Sequence, residues 1–217
     1  MTTNQMIKLL GEKNILIIDN GDRIYHDNRT NLQFPLESHY ALIEEDLSWN
    51  FCFVMLERRS IPEIEIDKFF DTKDEAIIYF FLNRLGEFFL MEYIFPAREP
   101  FREMIWDIDE ILRTMRKNNI PEKYFSYTGS VKPNSVFYYE KHGRWYREYL
   151  GKNCEVVAIT NKRGIGPEEK DGFLRLSLND ISLLYYLDEY VKEKIKEGKL
   201  DRDFTDVEKA RYAYFNI

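Results

Sequence analysis

The sequence predicts an α+β fold in which antiparallel strands form hairpins and amphipathic helices follow them. Two dipeptides that favour tight turns, Asn20-Gly21 and His142-Gly143, each separate two runs of residues typical of strands. At Thr72 and again at Ser177, the pattern changes to a capping box, which marks the start of a helix. Strands that come in groups and are followed by helices favour α+β over an alternating parallel α/β arrangement.

The N-terminal third of the chain contains the first group of strands. Asn14–Asp27 predicts a hairpin, because ILIID and RIYHD flank an Asn-Gly pair that tolerates the positive φ angles of a type I′ turn. Two more strands are expected at Tyr40–Glu45 and Asn50–Glu57, joined through Asp46–Trp49. Ile61–Ile66 alternates apolar and charged residues and includes a proline, which predicts an edge strand because proline cannot donate to a sheet ladder.

Two helices are expected in the middle of the chain. Thr72-Lys-Asp-Glu75 has the pattern of a capping box and predicts a helix to about Phe89. A second helix is expected to begin at Pro100, since proline suits the first helical position, and to end at Asn118. Its apolar residues recur at spacings of three and four: Phe101, Met104, Ile105, Ile108, Ile111, Leu112 and Met115.

The C-terminal part of the sequence has the same order of signals. Val136–Lys141 and Arg144–Leu150 flank His142-Gly143 as a second hairpin, and Cys154–Thr160 is expected to be a strand. The remaining expected elements are a polar loop at Asn161–Gly172, a short strand at Phe173–Leu176, a helix opened by a capping box at Ser177–Asp180, and a terminal helix opened by Thr205–Glu208.

The two parts of the chain resemble each other in one further respect. TKDEAIIYFFLN, from Thr72, and SLNDISLLYYLD, from Ser177, match in residue type at most positions. We therefore expect two similar strand-then-helix lobes, an acidic one at residues 1–98 and another at residues 122–217, with a connecting amphipathic helix at residues 99–121. The alternative, in which both lobes share one core as a single domain, stays open at this point.

Charge is distributed unevenly along the sequence. The chain of 217 residues has a formal net charge of −7. Met1–Arg98 contains 17 acidic and 10 basic residues, whereas Glu99–Ile217 contains 21 of each, so the whole excess lies in the first part. An acidic surface steers basic partners and rejects nucleic acid, so no direct nucleic-acid binding is expected.

Several classes of protein and of site do not fit the sequence. The N-terminus has no apolar run preceded by basic residues, and no window is long and apolar enough to cross a membrane, so a cytoplasmic protein is expected. Cys52 and Cys154, each in an expected strand, are interpreted as buried reduced thiols. His26, His39 and His142 lie in or beside turns without the spacing of metal ligands and are expected at the surface. We therefore expect no catalytic residues, no metal, no cofactor and no enzymatic activity.

One loop could still bind a small anion. In Asn161–Pro167, two glycines, Gly164 and Gly166, free backbone amides, and Lys162 and Arg163 supply positive charge. The loop lacks the Walker spacing, and two glutamates follow it at once, so a flexible connection is favoured. An enzyme or sensor that binds a small phosphorylated ligand is the alternative function that this loop suggests.

A family resemblance adds a function class. The aromatic hairpin GRWYREYLGKNCEVVAI and the segment FFDTKDEAIIYFFLNRL resemble, in style across most of the chain, immunity proteins of bacterial polymorphic and contact-dependent toxin systems. The resemblance implies an antitoxin that binds one toxin domain, such as a nuclease, and covers its basic active-site cleft. It includes no diagnostic motif and transfers no functional residue.

The acidity of the N-terminal part supplies the candidate contact residues for this function. Glu44, Glu45 and Asp46 form an acidic turn, and Trp49 is the neighbouring ring that could meet a partner. A regulatory or scaffold protein that pairs as a homodimer through Ile61–Ile66 is a further alternative. Monomer and homodimer are both compatible with the sequence.

Overall fold

The computed structural model describes residues 1–29, 36–56, 61–98, 107–159 and 162–213. Helices and mainly antiparallel sheets make up these residues, which confirms the predicted α+β class. The chain divides into two compact units, Met1–Leu85 and Gly86–Ile217, so the division lies earlier than the expected boundary at residue 98.

The first unit contains one five-stranded sheet. Its strands follow the chain order from one edge to the other, and every neighbouring pair is antiparallel. The elements are α1 (Thr3–Gly11), β1 (Leu16–Asp19), β2 (Arg23–Asp27), β3 (His39–Glu45), β4 (Ser48–Met55), β5 (Glu63–Phe70) and α2 (Lys73–Phe89), of which α2 continues past the division.

The β1–β2 hairpin is confirmed, but its turn is not the predicted type. Gly21 has a φ of 93°, whereas Asn20 does not have a positive φ. The N–H of Asn20 bonds to the carbonyl of Arg23 at 2.9 Å, so Gly21 and Asp22 are the two turn residues. A positive φ at the first turn residue alone is the pattern of a type II′ turn.

The β3–β4 turn is shorter than predicted. Asp46 and Leu47 both have positive φ, 48° and 70°, as in a type I′ turn, and Glu45 pairs directly with Ser48. Trp49 therefore belongs to β4 instead of the turn. The sequence did not indicate this turn, because Asp-Leu is not a dipeptide that favours left-handed backbone.

Aromatic packing joins α2 to the sheet in the first unit. The ring of Phe51, on the inner strand β4, makes edge contacts with Tyr79 and Phe80 of α2, at centroid distances of 5.1 and 6.1 Å. The hydroxyl of Thr72 accepts the N–H of Glu75 at 3.3 Å, which confirms the predicted start of this helix.

The second unit contains a four-stranded sheet and the longest helix. β6 pairs with β7 in parallel, and the other two pairs are antiparallel. After α2 and a π-helical turn (Leu90–Ile94), its elements are α3 (Phe95–Arg98), α4 (Ile108–Lys117), a 3-10 turn (Glu122–Tyr124), β6 (Phe125–Tyr127), β7 (Ser135–Lys141), β8 (Arg144–Leu150), β9 (Val156–Ile159), a second 3-10 turn (Pro167–Glu169), α5 (Lys170–Lys196) and α6 (Asp206–Tyr212).

The similarity expected between the two parts of the chain is limited to the order of elements. In both units a sheet is followed by a helix, but one sheet has five strands and the other has four, one pair of them parallel. Two turns agree with the predictions: His142 and Gly143 have the positive φ angles of a type I′ turn, and Thr205 forms a complete capping box with Glu208.

The expected connecting helix at residues 99–121 is a core element of the second unit. Asp107 caps α4 with an extended backbone, so the described helix begins at Ile108; the predicted start at Pro100 lies outside the described residues. Ile111 and Met115 belong to the same buried cluster as residues of β7, β8 and α5. The amphipathic pattern was interpreted correctly as a helix, but its apolar stripe packs in a core.

α5 begins before the predicted capping box. Phe173–Leu176 was predicted to be a strand and is helical, because α5 begins at Lys170. The hydroxyl of Ser177 bonds to the carbonyl of Leu174 inside the helix, and Asp180 points into the core. The capping interpretation of Ser177–Asp180 was therefore wrong: Ser177 bonds within the helix, and Asp180 bonds to Tyr138 and Arg147 of the second sheet.

The two cysteines differ in environment. Cys52 is buried in β4, as predicted, and burial raises the pKa of its thiol to about 11. Cys154 is exposed and has a φ of 61°, because β9 begins only at Val156. The expectation of two buried thiols in strands was wrong for Cys154.

Candidate partner-binding surface

One end of the five-stranded sheet collects acidic residues from three connections of the chain. The β1–β2 turn, the β3–β4 turn and the end of β5 all lie at this end, because the strands alternate in direction. The N–H of Glu44 bonds to the carbonyl of Asp22 at 2.8 Å and so joins the two turns. We call this surface the acidic end; its exposed carboxylates are Asp19, Asp22, Glu44, Glu45, Asp46 and Asp71.

The predicted acidic contact residues are therefore brought together with others that the sequence analysis did not include. Glu44, Glu45 and Asp46 are exposed as expected, and Glu45 also accepts a hydrogen bond from the side-chain amide of Asn50 at 3.2 Å. Asp19 accepts the N–H of Gly21 at 2.8 Å, which holds the first turn. Strand order could have indicated this grouping, since every second connection of an antiparallel meander lies at the same end of the sheet.

An apolar residue projects from the middle of the acidic end. Leu47 is 92% exposed and has a left-handed backbone, with φ of 70°. A left-handed conformation costs an L-residue with a Cβ roughly 1–2 kcal/mol. A fully exposed leucine in such a turn gains nothing from burial in the isolated chain, and outliers of this kind concentrate at functional sites.

The structure does not support Trp49 as a contact residue. Its ring is 4% exposed, and the ammonium group of Lys73 lies 4.6 Å from the ring centroid. The two-residue turn places Trp49 in β4, opposite Glu44 of β3, and Lys73, which lies over its ring, is the first residue of α2. Leu47 is an exposed apolar residue at this site, and the sequence analysis missed it.

Arg23 lies beside the acidic end but bonds to a buried histidine. Its guanidinium donates to Nε2 of His39 at 2.7 Å, and Nδ1 of His39 donates to the carbonyl of Glu37 at 2.8 Å. Burial lowers the pKa of His39 below its usual value, and the positive charge of Arg23 adds to the effect. The surface position expected for His39 was wrong, because this histidine lies within β3 and is buried.

The alternative ligand loop is held by contacts within the protein. Arg144 donates to the carbonyls of Arg163 and Gly164, both at 2.7 Å. A Cβ on Gly164 would lie 2.7 Å from the Tyr146 ring, and one on Gly166 would lie 2.2 Å from the Glu168 carboxylate. Close packing and a φ of 64° explain Gly164, and beside Gly166 a carboxylate lies where a phosphate would need positive charge. Lys162 and Arg163 have exposed side chains.

The second hairpin directs its central aromatic residues inward. Tyr138, Trp145 and Tyr149 are buried in the core of the second unit. Arg147 is buried on the same face and donates to Asp180 of α5 at 2.5 Å. Tyr138 donates to the same carboxylate oxygen at 2.9 Å.

Asp180 and Arg147 form the most deeply buried ion pair that the described residues contain. Burial raises the pKa of Asp180 to about 6, while the attraction of Arg147 acts in the opposite direction. The sequence analysis did not find this pair, because the two residues are separated by 33 positions and no local pattern connects them.

Two kinds of feature are absent from the residues that the structure describes. No group of three or more His, Cys, Asp and Glu side chains is arranged to hold a metal ion in that part of the chain. No helix there combines the length and apolar character that a membrane span requires. Comparison of the chain with models of protein families, with curated proteins and with solved structures gives no match.

Proposed function

We propose that this protein binds a basic protein domain through the acidic end and neutralises it, as an immunity protein neutralises a bacterial toxin. The supporting observation is the combination of Leu47 with the carboxylates around it. An exposed leucine on a left-handed backbone, 92% accessible, is unfavourable in the free chain and becomes favourable when a partner buries it.

The carboxylates around Leu47 fit the electrostatics of such a partner. Interfaces combine an apolar centre with a charged rim, and rim charges mainly accelerate association. A toxin domain that cleaves nucleic acid has a basic cleft, because its substrate is a polyanion. The acidic end would enter that cleft with Leu47 at its centre and Glu44, Asp46 and Asp22 around it.

The test is co-expression of this protein with a toxin-like domain from a neighbouring gene. Co-expression is expected to restore growth, and purification is expected to give a stoichiometric complex. Replacing Glu44 and Asp22 by Lys should slow association at least about tenfold, because electrostatic steering changes on-rates by 10- to 1000-fold. Urea unfolding should change little, since both side chains are exposed.

Leu47→Asn tests the apolar centre separately from charge. Asparagine tolerates left-handed backbone, so the free energy of unfolding should stay the same or rise by up to about 1 kcal/mol. Dissociation of the complex should accelerate about tenfold, because the buried apolar contact is lost.

The matched control is Glu140→Lys with Asp201→Lys, two exposed residues of the second unit that give the same change in net charge. It should leave association close to wild type. Absence of both rescue and complex, or equal effects of the two charge-reversed pairs, would contradict the proposal.

A further inference from the structure

β5 is one of the two outer strands of the five-stranded sheet, and β1 is the other. In the part of the chain that the structure describes, β5 pairs with β4 alone, and its first five residues, from Glu63 to Asp67, are all exposed. Antiparallel geometry turns the N–H and C=O groups of every second residue away from the neighbouring strand. Such an edge is a template for a further strand unless it is covered or interrupted.

The two faces of β5 differ in chemistry. Its register with β4 places Ile64, Ile66 and Phe69 on one face, and these side chains are 50%, 41% and 66% exposed. Glu63 and Glu65 lie on the other face and are exposed as well. An added strand would therefore meet apolar side chains on one face and carboxylates on the other.

A second copy of this chain is a poor occupant of the edge. When two β5 strands are related by a twofold axis, the registers within Glu63–Ile66 place Glu65 opposite Glu65 or opposite Glu63, and like charges directly opposite are destabilising. Bringing Glu65 opposite Lys68 would set two bulges against each other, because Asp67 has no opposite residue on β4. A bulge bends its strand and disrupts the ladder.

We propose that β5 binds an extended segment of another protein in which Lys or Arg alternates with apolar residues. The basic side chains would lie opposite Glu63 and Glu65, and the apolar ones opposite Ile64 and Ile66. Backbone hydrogen bonds supply affinity in strand addition, and the alternating side chains supply specificity. This surface is separate from Leu47 and the β3–β4 turn, so the inference does not depend on the function proposed above.

Peptide probes test the inference on the full chain. The first is a capped peptide of about seven residues that alternates lysine and valine, a length typical of a short strand. The second alternates glutamate and valine, and the third has the composition of the first with lysines and valines in separate blocks. Fluorescence anisotropy measures affinity, and amide hydrogen exchange locates the site.

The alternating lysine–valine peptide should bind at least about tenfold more tightly than either other peptide. In the glutamate–valine peptide two attractive cross-strand pairs become repulsive, and in the block peptide the lysines no longer alternate in register with Glu63 and Glu65. Binding of the lysine–valine peptide should slow amide exchange within Glu63–Ile66. Glu63→Lys with Glu65→Lys should reverse the preference in favour of the glutamate–valine peptide. Glu140→Lys with Asp201→Lys is the matched control and should keep the original preference.

A second variant tests the apolar face. Ile64→Thr with Ile66→Thr keeps β-branched residues in the strand and should weaken binding of the lysine–valine peptide about tenfold. Equal affinity for all three peptides, no binding of the lysine–valine peptide, or protection outside β5 would overturn the inference. So would a dimer, detected by light scattering, that the Ile64→Thr/Ile66→Thr pair abolishes, since it would identify a second copy as the occupant.

Discussion

Whether a side chain near the β3–β4 turn is exposed or buried depends on a difference of one or two residues in the length of the turn. The acidity of Glu44, Glu45 and Asp46 could be read from the sequence, and their exposure agrees with that reading. The burial of Trp49 could not be read from it, because the outcome depends on whether the turn contains two residues or four. A strand reverses the direction of its side chains at every residue, so a small error in turn length changes the predicted face.

His39 is a residue whose long-range partners give it a measurable pH dependence. Its pKa is lowered in the folded chain, chiefly by burial, whereas an unfolded histidine titrates near pH 6.5. Below that pH the unfolded state takes up a proton that the folded state resists, so the free energy of unfolding is complete above about pH 7 and falls toward pH 5.

We expect His39→Gln to remove part of this decline. The slope between pH 7 and 5 cannot exceed about 1.4 kcal/mol per pH unit for one proton, and it should be smaller in the variant than in the wild type. Urea unfolding at a series of pH values measures both. His142→Asn is the control, because His142 is exposed in a left-handed turn that asparagine also tolerates; identical pH profiles for wild type and His39→Gln would refute the assignment.

Elements were predicted well where the signal is local and less well at their ends. The two hairpins, the edge strand and α6 follow turn dipeptides, alternation and a capping box, all of which act over a few residues. The start of α5 was predicted wrongly, because Ser177 and Asp180 have the spacing of a cap, whereas Ser177 bonds to the preceding turn of the same helix and Asp180 bonds to the second sheet. Local pattern and tertiary contact compete at such positions, and here the tertiary contact prevails.

The Arg147–Asp180 pair should be critical for the docking of α5 on the second sheet. Arg147→Met leaves a buried carboxylate without its cation and is expected to reduce the free energy of unfolding by about 3–5 kcal/mol. Adding Asp180→Asn removes the charge and keeps an oxygen for the Tyr138 hydroxyl, so much of the stability should return.

Urea titrations of wild type, Arg147→Met and the double variant measure this coupling. The pKa of Asp180 is already raised, so its carboxyl is protonated in the folded state near pH 5. The stability lost in Arg147→Met should therefore be smaller near pH 5 than at pH 7. A double variant as unstable as Arg147→Met would show that the pair contributes through packing instead of charge.

At the scale of the whole molecule, the acidic part of the sequence and the first compact unit end at nearly the same point in the chain. The sequence places all of the excess of −7 in the first 98 residues, and the first compact unit ends at Leu85. Composition alone could predict this asymmetry. It could not predict that alternating hairpins concentrate the carboxylates at one end of a sheet, because that grouping depends on strand order.

The asymmetry predicts how binding responds to salt. Between about 0.05 and 0.5 M salt, association with a basic partner should slow at least about tenfold, since screening shortens the range of the field of the acidic end. The Glu44→Lys/Asp22→Lys variant should show a much weaker dependence, and dissociation rates should change little in either protein. Stopped-flow measurement of association at several salt concentrations checks this. A dependence that is unchanged in the variant would assign the attraction to other residues.

The bulge at Asp67 also limits the length of any added strand. Only Glu63–Ile66 offers a regular edge, so an incoming segment can form few backbone bonds before the ladder is interrupted. A partner held in this way should exchange, and we expect both the interruption and the glutamates to disfavour growth of the sheet by addition of identical chains at β5. We therefore expect the irregular register of β5 to limit polymerisation through this exposed edge in concentrated solution.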